Sequence, residues 1–265
     1  MRINKKSILI IILSLIIIAV LLIVAFIVLQ KLNNNSKQEN ELEMAPTESE
    51  ETIENNFRNK LYNINYEEDS QDIVVCAFDY ETSKENKYSL KVNIPKIDLE
   101  TEITTQINNE IMESYGKKVL DIINNGTEFT LFNLDYITYV NDNILSLVIK
   151  ATLKEGNKPQ RLIVQTYNYD MANDTILTLK DIIKLKNIEE LDLQVKIIDK
   201  VREKNVNTTA LSEQGYNIYV RDIRSDEYLI DNINEFLLDE KGYLYILFPY
   251  GNNNFTETMD VIVAK

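Results

Sequence analysis

Residues 129–169 read FTLFNLDYITYVNDNILSLVIKATLKEGNKPQRLIVQTYNY, and this stretch decides the fold. Three runs rich in Leu, Ile, Val and Tyr occupy 129–140, 144–153 and 161–169. Asn141-Asp142-Asn143 separates the first two, and the polar segment 154–159 separates the second from the third. β-rich runs punctuated by short Asn, Asp, Gly and Pro clusters predict a three-stranded meander. Upstream, Ile103, Ile107, Ile111, Tyr115 and Val119 recur every four residues, joined by Met112, Leu120, Ile122 and Ile123. That period predicts one long amphipathic helix stopped at Asn124-Asn125-Gly126.

Further out, 73–78 and 88–94 read as a hairpin around the polar stretch 81–87, with Pro95 ending the second strand because it lacks a ladder donor. Downstream, Thr178-Leu179-Lys180-Asp181 is a capping pattern flanked by the staple pair Leu177 and Ile182. A second helix is expected from Asn187, with Glu190 in the capping position and Ile188, Leu191, Val195, Ile198 and Val201 as its stripe. Residues 236–238 and 243–248 form a last hairpin around Glu240-Lys241-Gly242, and 259–264 is the closing strand. Hairpins with segregated helices predict an α+β fold: an antiparallel sheet of hairpins and a meander, packed with two or three amphipathic helices.

Composition removes several chemistries. Among 265 residues, 45% hydrophobic and 26% charged, there is no His. Ser-His-Asp and Cys-His nucleophile systems and His-liganded zinc catalysis are therefore excluded. What remains is Ser-Lys pairs, paired carboxylates and oxygen-ligand metals, but no spacing in the chain singles out a catalytic residue, a metal set or a cofactor. Cys76 is the sole cysteine, so no intrachain disulfide forms; within an apolar run it reads as a buried thiol, with an interchain disulfide as the alternative.

Residues 8–29, from Ile8 to Leu29, carry no charge over 22 positions. At helical rise they span about 33 Å, enough for a bilayer core of about 30 Å. Arg2, Lys5 and Lys6 precede the run, so the positive-inside rule places the N-terminus in the cytoplasm. The run exceeds the apolar region of a cleaved signal peptide and has no small-x-small exit, which favours an uncleaved anchor. The expected organisation is a cytoplasmic tail over 1–7, a transmembrane signal anchor over 8–29, an acidic flexible linker over 30–56 and an extracytoplasmic domain over 57–265. Residues 1–37 hold five of the 28 basic and none of the 42 acidic residues, leaving 23 against 42 beyond them, a net charge of −19. Such a surface repels nucleic acid and attracts cationic partners.

Three stretches carry a resemblance. Val92-Asn93-Ile94-Pro95-Lys96-Ile97, followed by Ile107-Asn108, is the first. Tyr167-Asn168-Tyr169-Asp170 through Leu177-Thr178-Leu179-Lys180-Asp181-Ile182-Ile183 is the second, and Phe236-Leu237-Leu238-Asp239 through Phe248-Pro249-Tyr250 the third. Together they resemble the extracytoplasmic domain of RsiV-type anti-sigma factors, a domain also attached to some peptidoglycan deacetylases and present in many membrane proteins of Firmicutes. The likeness spans residues 72–265. It implies a receptor-like domain, since RsiV-type ectodomains bind lysozyme, a cationic protein. The chain departs from the family at Glu155-Gly156-Asn157-Lys158-Pro159, where members often carry a Gly-Gly-Ala-His-like loop, so any role of a loop histidine is lost. The cytoplasmic sigma-binding segment is missing and no deacetylase domain is attached, so neither activity is expected.

The resulting expectation is a non-enzymatic binding or sensing domain of a Gram-positive cell envelope, anchored in the membrane, with a cationic protein or peptidoglycan as ligand and no nucleic acid. A structural subunit of a membrane assembly is the alternative. A carboxylate-based glycan hydrolase is a further one, which requires two carboxyl groups facing one cleft. Loops carry binding more often than framework, and tyrosines cluster in two of them. Tyr216, Tyr219 and Tyr228 lie in or beside the segment 205–226, which lacks a strong period; Tyr250, Asn252 and Asn253 follow the last hairpin. These six are the candidate ligand surface.

Overall fold

A computed structural model describes residues 48–65, 67, 71–215 and 218–264, the side chain of Asn207 apart. The apolar run 8–29 and most of the expected linker lie outside these residues. No helix among the described residues is long and apolar enough to cross a membrane.

The chain forms α1 (Glu50–Tyr62), β1 (Val74–Lys84), β2 (Tyr88–Ile97), α2 (Glu102–Ile111), a π-helical turn (Met112–Gly116), α3 (Lys117–Asn125), β3 (Thr130–Asn141), β4 (Ile144–Glu155), β5 (Arg161–Asp170), β6 (Thr175–Ile176), α4 (Leu179–Leu185), α5 (Glu190–Glu213), β7 (Phe236–Leu238), β8 (Leu244–Pro249) and β9 (Met259–Ala264). Strands β1 to β6 make one sheet in sequence order, and β7-β8-β9 make another. The meander is present as expected: β3 pairs antiparallel with β4, and β4 with β5.

The expectation of a wholly antiparallel sheet is overturned at one pair. β2 and β3 run parallel, with Tyr88 opposite Thr130 and Val92 opposite Leu134. The helical stretch α2–π–α3 between them is the reason, because a crossover helix returns the chain to the end where β2 began. Thr101 caps α2 in a capping box with Thr104. Asn108 on α2 clamps the end of β2: it accepts from the Ile97 N–H at 2.8 Å and donates to the Ile97 carbonyl at 2.9 Å. The Pro, strand and helical Asn in the first stretch of the resemblance therefore form one physical device.

Period-2 alternation sorts the apolar residues of β3, β4 and β5 to two faces. Phe132, Leu134, Tyr136, Leu145, Leu147, Ile149 and Tyr167 pack beneath α2 and α3, with Ile107, Ile111 and Val119. Ile137, Val148, Leu162 and Val164 on the opposite face meet Leu237, Tyr245, Leu247, Val261 and Val263 of the second sheet, together with Ile53, Phe57 and Leu61 of α1. The far face of that second sheet, through Leu238, Ile246, Phe248 and Ile262, packs on Ile182 of α4 and Leu193, Ile197 and Val201 of α5. The order is helix, sheet, sheet, helix. Where the sheets meet, Ser146 and Asn168 are buried and mutually bonded at 2.6 Å; Ser146 accepts from the Leu238 N–H and Asn168 donates to the Phe236 carbonyl.

Several boundaries move. Helix α1 begins at Glu50, so the expected linker ends before Asn56: Ile53, Phe57 and Leu61 form an apolar stripe at four-residue spacing that the acidic residues around it obscured. Pro95 does not end β2, which continues to Ile97; it sits opposite Cys76 at a β-bulge, where the register shifts and a missing donor is tolerated. The predicted stripe of α5 holds at Val201, with Ile188 and Ile198 packed against the core, and fails at two positions. Leu191 and Val195 are exposed, and Leu193 and Ile197 face the core in their place. Met112 and Leu120 likewise lie on the solvent side of their helix. Cys76 is half-buried rather than fully buried, and that burial pushes its thiol up from the usual range. The capping box at Thr178 and Asp181 forms as read.

Candidate functional site

β5 has β4 on one side, while on the other β6 covers only Tyr169 and Asp170. An edge strand left so open is a template for unwanted pairing, and here loop groups close it. The Leu162 N–H donates to the Thr256 carbonyl at 3.0 Å. Asn252 imitates a strand residue: its Oδ1 accepts from the Val164 N–H at 2.9 Å and its Nδ2 donates to the Val164 carbonyl at 2.8 Å. One step along, Glu235 Oε2 accepts from the Thr166 N–H at 2.6 Å. Arg161 forks onto the Gly251 and Asn252 carbonyls at 2.8 and 2.7 Å. Gly251 is required by this approach, since a Cβ there would lie 2.0 Å from the Leu162 carbonyl oxygen.

A buried polar network seats the same loop from behind. Arg221 donates through Nε and Nη2 to Asp260 at 2.5 and 2.7 Å, and through Nη1 to Thr208 at 2.7 Å. The Tyr250 hydroxyl donates to Asp260 at 2.8 Å and lies 3.0 Å from the Tyr228 hydroxyl. Tyr219 packs on the Tyr250 ring with centroids 4.4 Å apart. Burial, with Asp260 adjacent, drives the Tyr250 hydroxyl far above its ordinary range, so it stays a protonated donor.

The structure thus brings four of the six candidate residues together, but as framework. Tyr228 and Tyr250 are buried, Tyr219 is partly buried against them, and Asn252 has both amide atoms on β5. Tyr228 and Tyr219 serve as packing, whereas Tyr250, Asn252 and Asn253 also line the cavity described next. Asn253 is exposed beside them, and Tyr216 lies outside the described residues. The apparently aperiodic segment 205–226 begins as the last turns of α5.

The open surface is next to these residues. A cavity of about 130 Å³ is lined by Glu227, Asn234, Glu235 and Phe248, by Asn232 and Asn254, and by the candidate residues Tyr250, Asn252 and Asn253. A second groove of about 370 Å³ follows β5 past Thr166 and Asn168 to Thr178 and Lys180, and shares Ile233 and Asn234 with the first. Glu235 lines the first. Burial pushes its carboxyl up to about 7, only partly offset by the hydrogen bonds from Thr166. Lys180 is paired with Asp231 in the second groove. Sequence reasoning missed Glu235 because its partner Thr166 is 69 residues distant and no local pattern links them.

Fold and site together define a two-sheet α+β domain whose one guarded sheet edge is bordered by polar, carboxylate-bearing grooves. No protein family matches the sequence, and no curated protein is detectably similar to it. Among solved structures, a DUF3298 family protein from Pseudomonas aeruginosa is similar at 10% identity with a TM-score of 0.43, covering 68% of this chain and 83% of that one. A member of the same family from Bacteroides fragilis is similar at 15% identity with a TM-score of 0.33, covering 65% of this chain and 79% of that one. DUF3298 is the RsiV-like extracytoplasmic domain family.

Proposed function

We propose that this chain is a membrane-anchored, non-catalytic binding domain displayed outside the cell, and that it engages a cationic protein along the outer edge of β5. The observation that carries the reading is the pair of adjoining grooves at that edge, bordered by Glu227, Asp231 and Glu235. The net charge of −19 beyond residue 37 supports it, since a field of that sign raises the encounter rate with a basic partner. The uncharged run 8–29 supports the anchor, and the basic residues before it support the orientation. A resident catalytic role finds less support: without histidine, general-base work would fall to carboxylates, and the buried tyrosines here are held as donors.

Two measurements test this. The full chain expressed in a Gram-positive host should partition with membranes, with the domain digested by protease added outside intact cells. Immobilised full-length protein should retain basic proteins such as lysozyme or cytochrome c and not acidic proteins of similar size. Recovery in the cytosol would sink the anchor, and equal retention of acidic and basic proteins would sink the binding reading.

A further inference from the structure

We infer that the cavity beside β5 receives the ammonium or guanidinium group of a basic side chain, with Glu235 as its counter-ion. This rests on the binding reading above and deepens it to one residue and one chemical group. Glu235 is held on two sides: its backbone carbonyl accepts from the Leu247 N–H at 2.9 Å, and its Oε2 accepts from the Thr166 N–H at 2.6 Å. The side chain is partly buried, and its carboxylate borders the cavity of about 130 Å³.

No Lys or Arg lines that cavity, and no described basic residue is paired with Glu235. A carboxylate partly withdrawn from water is stabilised by a cation brought beside it. The upward push on Glu235 to about 7 fits that missing charge, since burial dominates and no basic residue opposes it. A neutral ligand would leave the deficit in place. A metal ion needs more carboxylates than converge here: among the described residues no three His, Cys, Asp or Glu side chains gather to hold one. A basic side chain supplies the charge, and Asn232, Asn234 and Asn254 supply amide oxygens within the same lining.

The test titrates full-length protein in detergent micelles at low ionic strength with penta-lysine, and with its fully Nε-acetylated form as a neutral probe. At pH 8 the wild type should bind penta-lysine and not the acetylated peptide. Glu235→Gln keeps an acceptor for the Thr166 N–H but removes the charge, and should weaken binding at least tenfold. Asn234→Lys, which offers a tethered ammonium to the same carboxylate, should weaken it comparably. Glu240→Gln, at an exposed turn position, should leave affinity within twofold. Cation binding requires the ionised carboxylate, so wild-type affinity should fall about tenfold between pH 8 and pH 6, and Glu235→Gln should lose that dependence. Unchanged affinity in Glu235→Gln, or an equal loss in Glu240→Gln, would overturn the site, the second by showing diffuse attraction. Retention of basic proteins alongside unchanged penta-lysine binding by Glu235→Gln would refute the site and leave the binding reading standing; a wild type that neither retains basic proteins nor binds penta-lysine would refute both.

Discussion

Asp260 accepts two hydrogen bonds from Arg221 and one from Tyr250 at a position 2% exposed to solvent. Breaking such a pair leaves a buried guanidinium without its counter-charge, which costs about 3–5 kcal/mol. Asp260→Leu should lose that much in urea denaturation monitored by tyrosine fluorescence, whereas an exposed control such as Glu240→Gln should lose almost nothing. Glu235 behaves oppositely. Its folded value, about 7, lies above the ordinary glutamate value of 4.5, so the folded state binds the proton more tightly than the unfolded one. Its contribution is fully present below the ordinary value and is lost as pH rises through about 7. Glu235→Gln should therefore be more stable than wild type at pH 8, by an amount of order 2 kcal/mol that shrinks toward pH 5. Denaturation midpoints at the two pH values check the sign. Neither role was legible in the sequence: Arg221 and Asp260 are 39 residues apart, and the tyrosines that drew notice as surface groups are the packing around them.

At the scale of elements, pattern reading found the strands and misjudged one helix face. β3, β4 and β5 alternate so regularly that turn residues and burial agree with the period. In α5 the stripe read from Ile188 to Val201 included Leu191 and Val195, each two residues before the buried Leu193 and Ile197, because both faces of that helix carry aliphatic residues. Leu193→Ala should then cost about 2–5 kcal/mol through the cavity it opens, while Leu191→Ala should stay within about 0.5 kcal/mol. Equal losses would reject the phase described here. The closure of β5 is a second element-level device, because Gly251 lets the loop come within bonding distance of the strand. Gly251→Ala should destabilise by about 1–3 kcal/mol, and amide exchange at Val164 should accelerate with it.

Across the whole molecule, four layers bury three apolar clusters while the surface keeps a large negative excess. Attraction to a basic partner through that field is screened at an ionic strength where the Debye length falls below about 5 Å. Raising salt from 0.05 to 0.5 M should slow association with a basic protein far more than it speeds dissociation; salt-insensitive association would argue against electrostatic capture. By itself, the sequence determined the strands of the meander, the α+β class, the capped helix at Thr178, the charge balance and the exclusion of histidine chemistry, because each follows from local period, local turn chemistry or a simple count. Only the tertiary structure decided that β2 and β3 run parallel, that the last three strands form their own sheet, and that Asn252 and Glu235 close an edge strand far away in sequence. Those outcomes depend on which distant backbone groups need partners after packing, and local sequence holds no record of that.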